Sequence, residues 1–376
     1  MSNSFVGRRE RLVRQLRDAA VDAFLITQPI NVSYLTGFSG EASYLILSAA
    51  KTILVSDGRF RSQLAEECPD LETCIRPPSQ PITEAAAQVL GQLGVHDVEF
   101  ESGHVTVADA QALADQAKAI AWKPGTNRVE ALRQIKDAGE IEQIRAAIRI
   151  AETAFAKFRA MLKPDDTEKD LADTLEHAIR RAGGTSGSFP NIVAVGPRAA
   201  LPHAPPTGKR VREAPVLLVD WGASGPFFYK SDLTRVLLTH NNSRTPGAHR
   251  PLDAKVQAVY EVVLTAQRAA LSAARPGAEA NSVDAAARAV IADAGYGDFF
   301  THSIGHGLGM QVHEAPLMKP GSKVELQAGM VVTIEPGIYL PDEFGIRIED
   351  DILITPDGAE VLTSVPRDLA SNLVEF

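Results

Sequence analysis

Only two cysteines, Cys68 and Cys74, occur in 376 residues, and they are not spaced as a Cys-x-x-Cys pair. That excludes a disulfide framework and a thiolate zinc or redox site, and it leaves buried or half-buried reduced thiols suited to a reducing cytoplasm. No uninterrupted apolar run approaches the roughly 18 residues of a membrane span. The first residues, MSNSFVGRRE, lead into an amphipathic helix pattern without an apolar signal region. Neither secretion nor membrane insertion is expected. Basic excess is missing too: the net charge is −9 and no concentrated basic patch offsets it. Nucleic acid and anionic membrane surfaces are therefore poor partners. Internal repeats and low-complexity tracts are also absent.

With 45% hydrophobic and 23% charged residues over 376 positions, the chain exceeds what one core serves, so two domains are expected. Up to Trp122, short β-rich runs (23–27, 44–48, 52–56) alternate with helical stretches near 59–67, 82–92 and 106–119, the pattern of an α/β domain with a partly parallel sheet. WKPGTN at 122–127 breaks it, which sets domains at 1–125 and 126–376. Residues 129–162 carry a long helical signal ending before Pro164, and Thr167 with Asp170 resembles another helix start. Strand-like runs at 191–195, 215–220, 234–238, 331–336 and 346–355 then surround helical patterns at 251–274 and 281–294. This grouping predicts an α+β layer, with helices on one face of a mostly antiparallel sheet.

Five side chains in this second region have settings that suit metal ligands: Asp220, Asp232, His306, Glu335 and Glu349. Four carboxylates and one imidazole match two divalent cations that share oxygens. Asp220 closes VLLVD and Asp232 lies in SDLTR, flanking a hairpin. Across paired strands two such groups would lie about 4.5–5.5 Å apart at Cβ. Taken alone, an Asp before a glycine-bearing segment is more commonly a turn former. His306 stands among Gly305, Gly307 and Gly309, which allow close backbone approach, and His203, His302 and His313 share glycine- or proline-rich settings. Glu335 closes VVTIE, and Glu349 sits among Ile346, Ile348 and Ile352. A buried carboxylate there is costly unless it is paired or bound to a cation. Arg347, on the same strand face, is the alternative partner of Glu349.

The motifs LPHA, VDWGA, SDLTR, GHGLGMQVHE, TIEPGIY and GIRIEDD occur in that order and resemble the pita-bread metallopeptidases, which include aminopeptidase P, prolidase and methionine aminopeptidase. NVSYLTGFSG at 31–40 and VSDGRF at 55–60 resemble the creatinase/prolidase-type N-terminal domain, and 129–147 resembles the first helix of the catalytic domain. The resemblance implies an α+β pita-bread catalytic domain after a smaller α/β creatinase-type domain. It makes Asp220 the bidentate ligand of one metal and Asp232 and Glu349 the bridging carboxylates, while His306 and Glu335 complete the second metal's shell. His203 and His313 would hydrogen-bond substrate and the tetrahedral intermediate, and His302 and Arg347 would line the pocket and support the ligands. One departure stands out: the Asp220–Asp232 spacing is one residue longer than the family pattern, and Phe228 replaces a glycine. A bulge or longer turn would absorb it without loss of register.

Two cations about 3.5–4 Å apart can share a water, lower its pKa and present hydroxide to a polarised carbonyl. Glu335 is then the candidate proton shuttle, His313 stabilises the oxyanion and His203 orients the scissile peptide. The resemblance implies an Xaa-Pro exopeptidase, either dipeptidase or aminopeptidase P, acting on small peptides with proline after the first residue. Mn²⁺ is the expected metal, with Co²⁺ and Zn²⁺ also suited, and a cytoplasmic homodimer is the expected form. The alternatives are a creatinase-like hydrolase that uses the fold without metal and a non-catalytic binding module.

Overall fold

The alternating pattern of the first 125 residues folds as a six-stranded mixed sheet in the computed structural model, which describes residues 2–240 and 252–376. The chain divides into two units, Met1–Arg133 and Gln134–Phe376. In the first, Ala23–Ile26 pairs antiparallel with Tyr44–Ser48 and parallel with Asp97–Glu101, so the sheet is partly parallel as predicted. Helices Ile82–Leu93 and Val107–Gln116 follow the predicted spans. Residues 121–125 differ from the prediction: the start of the expected interdomain break is an edge strand, Ala121–Gly125, parallel to Asp97–Glu101. An edge tolerates Pro124 because half of its N–H groups need no partner. Cys68 is buried and Cys74 half-buried, both free, and burial pushes the Cys68 thiol up to about 11, leaving it unreactive.

The helical signal at 129–162 resolves into two helices, Arg128–Arg133 and Ala138–Met161. Asp137 sets the break: its side chain accepts from the Glu140 N–H while the Glu140 side chain accepts from the Asp137 N–H. Thr167 and Asp170 cap Glu168–Arg181 in the same way. Ala254–Ala273 and Ala280–Asp293 fill the later helical predictions, residue 251 lying outside the described residues. Among the described residues, no helix is long and apolar enough to cross a membrane.

Ile192–Val195, Val216–Trp221 and Leu233–His240 form an antiparallel sheet, which Leu373–Glu375 extends in parallel. A five-stranded antiparallel sheet contains Gly305–Gly307, Val331–Ile334 and Asp350–Thr355. The predicted strand at 346–355 is interrupted: Phe344–Arg347 pairs with Gly337–Leu340, Asp350–Thr355 joins the larger sheet, and Glu349 stands at the step. Helices cover both faces of the four-stranded sheet instead of one. Val193, Leu217 and Val219 pack with Phe155, Phe158 and Leu175. Ala194, Leu218 and Val236 pack with Val259, Val263 and Ile291. VLLVDW is buried at every position, and the doubled cover is why it reads as a continuous apolar run.

Candidate metal centre

Asp220 and Asp232 do not face each other directly. In the register of Val216–Trp221 against Leu233–His240, Asp220 lies opposite Thr234, which makes Asp232 its diagonal neighbour on the same face. The extra residue of the hairpin does not disturb this register. Pairing continues from Leu238↔Val216 through Leu233↔Trp221 to Ser224↔Lys230. The surplus is confined to the tip at Pro226–Phe228, where Phe227 and Phe228 take positive φ of 58° and 69°.

The other candidates reach the same place from the second sheet. Glu349 forms an isolated bridge with Thr234: its N–H donates to the Thr234 carbonyl at 3.1 Å, and the Thr234 hydroxyl donates to Glu349 Oε2 at 2.6 Å. His306 sits in the short strand Gly305–Gly307, where a Cβ at 305 would lie 2.0 Å from the Thr333 carbonyl oxygen and one at 307 would lie 2.2 Å from that of Ala315. Only glycine fits on either side of this histidine. Glu335 follows Val331–Ile334 directly, its N–H bonded to the Ile304 carbonyl at 2.8 Å.

Among the described residues, ligand atoms of Asp232, His306 and Glu349 all lie within 4.8 Å of one another, and all three residues are buried. His306 Nε2 is 3.7 Å from Asp232 Oδ2 and 3.4 Å from Glu335 Oε1. The 3.1 Å contact of His306 Nδ1 with the Gly307 carbonyl places the proton on Nδ1 and leaves the Nε2 lone pair facing the carboxylates. Asp220 is held differently: Oδ2 accepts from Arg347 Nη2 at 2.5 Å, while the buried Oδ1 has no hydrogen-bond partner. Arg347, the alternative partner considered for Glu349, thus makes its ion pair with Asp220.

Burial pushes all four carboxyls up. For Asp232 the charge of Glu349 adds to it, for Glu349 that of Glu335, and for Asp220 the Arg347 charge works against it. Glu335 rises to about 8, with Asp220 adding and Arg347 opposing. Burial, with the neighbouring His313, holds His306 down to about 4. An imidazole lone pair, an unpartnered carboxylate oxygen and mutually repelling buried carboxyls are the donor set that oxygen-preferring divalent cations satisfy. The residues present fit such cations.

These groups open on a cavity of about 540 Å³ whose walls include His203, His302 and His313 beside Phe189, Ile192 and Leu317. His302 Nδ1 donates to the Ser303 carbonyl at 2.8 Å, so Nε2 of the neutral ring accepts from the Tyr339 hydroxyl at 2.8 Å. Burial and Arg347 lower His302 to about 4, which keeps it neutral. Both of its nitrogens are thereby engaged within the protein. Arg347 Nη1 donates to Tyr339 at 2.8 Å and Nε to Thr234 at 3.1 Å, so this guanidinium orients Tyr339, Thr234 and Asp220 together. Thr234 and Tyr339 received no role from the sequence. Their only signal was membership of SDLTR and TIEPGIY.

Residues 142–356 match the model of metallopeptidase family M24, and residues 8–135 match that of the creatinase/prolidase N-terminal domain. The uncharacterised peptidase YqhT of Bacillus subtilis is 36% identical over 366 residues, which cover 96% of this chain and 98% of that one. The structure of an Xaa-Pro dipeptidase from Bacillus anthracis superposes with a TM-score of 0.91 at 31% identity, covering 98% of this chain and all of the other. An X-Pro aminopeptidase from Thermotoga maritima does so at 0.87 and 32%, with the same coverage. The chain therefore belongs to metallopeptidase family M24, with a creatinase/prolidase-type N-terminal domain ahead of a pita-bread catalytic domain.

Proposed function

We propose that this protein is an Xaa-Pro exopeptidase whose dinuclear centre is held by Asp220, Asp232, His306, Glu335 and Glu349. The observation that carries the proposal is the buried cluster of Asp232, Glu349 and the neutral His306, at a cavity also lined by Asp220, Glu335, His203 and His313. Two divalent cations bound there would supply water activation and polarisation of the scissile carbonyl. Glu335, 3.4 Å from His306 and ionised once cations are bound, is placed to take a proton from the attacking water and return it to the leaving nitrogen. The departing nitrogen must gain that proton as the C–N bond breaks, and for an Xaa-Pro bond the product is the secondary amine of proline. His313 donates to the developing oxyanion and His203 orients the peptide. Arg347 is engaged with Asp220, Thr234 and Tyr339, and it acts by positioning.

Relatives named as a dipeptidase and as an aminopeptidase are about equally similar, so dipeptides and longer peptides both belong to the reading. A comparison of kcat/KM on Xaa-Pro and Xaa-Pro-Yaa peptides separates them. Mn²⁺ as the working metal, a homodimer and a cytoplasmic site of action complete the proposal. Metal analysis should find close to two equivalents per chain, and a chelator should abolish release of proline. A reconstituted protein that takes up no metal and leaves Xaa-Pro peptides intact with added Mn²⁺ would end the enzyme reading.

A further inference from the structure

Lys136 and Glu314 have no part in the proposed reaction, yet they form a buried ion pair beside it. Lys136 lies in IKDAGE, just ahead of the helix Ala138–Met161, and Glu314 directly follows His313. Their side chains are 1% and 6% exposed, with Nζ 3.3 Å from Oε2. The Lys136 N–H is fixed to the Gly329 carbonyl at 2.8 Å. Glu314 Oε1 accepts from the Gln311 N–H at 2.9 Å, so one carboxylate joins Lys136 to the turn that carries His313. Gly309 makes room for it, since a Cβ there would lie 2.7 Å from Glu314 Oε2. Glu314 opens the strand Glu314–Met318, and His313 is the last residue of the bend before it. With the Glu314 carboxylate anchored next to it, the His313 ring lines the cavity, 4.4 Å from that of His306.

We propose that Lys136 and Glu314 are positioning residues whose ion pair holds His313 over the cavity. The placement of His313 rests on geometry alone, and its catalytic consequence rests on the function proposed above. Glu314→Gln keeps the size and an acceptor for the Gln311 N–H but removes the ion pair. Its kcat on an Xaa-Pro peptide should fall about 10- to 100-fold with KM and metal content little changed, as expected when a catalytic group is displaced by about 1 Å. In a His313→Ala background the same substitution should cost nothing further, because its effect passes through the missing imidazole. An equal loss in both backgrounds, or an unchanged kcat, would overturn the proposal. If the single variant does not fold, Lys136→Met combined with Glu314→Gln removes both charges of the pair together; it should show the same kcat loss. A crystal structure of whichever variant folds is independent of any assay, and the His313 ring should leave its contact with His306. An undisturbed ring refutes the positioning role even if the peptidase activity is confirmed. A displaced ring in a protein whose wild type cleaves no Xaa-Pro peptide supports the positioning role and refutes the functional reading.

Discussion

Glu349 and Asp350 are adjacent and both buried, yet they are satisfied in opposite ways. Asp350 accepts from Arg235 at 2.7 Å, from Thr363 at 2.5 Å and from Gln267 at 2.5 Å, and the Arg235 guanidinium also donates to the carbonyls of Thr234, Glu349, Val365 and Pro366. Glu349 accepts from the Thr234 hydroxyl, and burial with the charges of Glu335 and Asp220 raises it against the opposing charge of Arg347, whose guanidinium is bonded to Asp220 instead. A carboxylate answered by a guanidinium is architecture. A buried carboxylate crowded by others has its electrostatic complement outside the protein, in a cation. The strand step at Glu349 puts these two kinds of site one residue apart, and Arg235 braces the backbone of the cation-seeking one.

The largest effect should come from Glu335→Gln, on the cation-seeking side. Turnover should fall about 10²- to 10⁴-fold, while metal analysis still finds bound cation. Full activity would remove Glu335 from proton transfer and leave it a ligand only. Next in size, Asp350→Ala should cost about 3–5 kcal/mol in urea unfolding, since it strands the buried Arg235 charge. Glu349→Gln should leave the metal-free protein at least as stable as wild type and weaken cation binding in calorimetry. Equal destabilisation by the two substitutions would erase the contrast between them.

How much of this contrast could be read in the sequence depends on what each residue needed to be recognised. Asp220, Asp232, His306, Glu335 and Glu349 were visible because strand ends and flanking glycines are local patterns. Gly305 and Gly307 have the predicted close approach to backbone. Thr234 escaped notice because an uncharged strand residue gains its role only from pairing with Asp220 on one side and bridging to Glu349 on the other. Lys136 and Glu314 are 178 residues apart, and no periodicity connects them. The double helical cover was hidden for a related reason: a continuous apolar run says that both faces are buried but not what buries them.

The pH dependence of the metal-free protein tests the crowding of the carboxyls. Glu335 rises from 4.5 to about 8 on folding, so the stability it contributes is complete below 4.5 and is lost as pH rises through 8. His302 and His306 fall from 6.5 to about 4, and their contribution has the opposite sign, growing as pH rises from 4 to 6.5. Between pH 6.5 and 8 only the carboxyl effect remains. The thermal midpoint in EDTA should therefore fall across that window, and added Mn²⁺ should reverse the fall. A midpoint that rises there would mean that the carboxyls are already charged and adequately solvated without a cation.

The smallest expected effect asks whether the spacing of the cation-seeking carboxyls depends on the hairpin that carries two of them. Phe227 is 52% exposed at the tip with φ 58°, a conformation that costs an L side chain about 1–2 kcal/mol and glycine little. Phe227→Gly removes that strain but frees the unfolded chain by roughly 0.5–1 kcal/mol. The net gain in unfolding free energy should be about 0.5 kcal/mol. Because Ser224↔Lys230 closes the register beneath the tip, Asp220 and Asp232 should keep their places, and the cation affinity should be unchanged. A shift in affinity without a change in stability would show that the tip transmits strain along both strands to the aspartates. The surplus residue would then act on the metal centre instead of being absorbed by the turn.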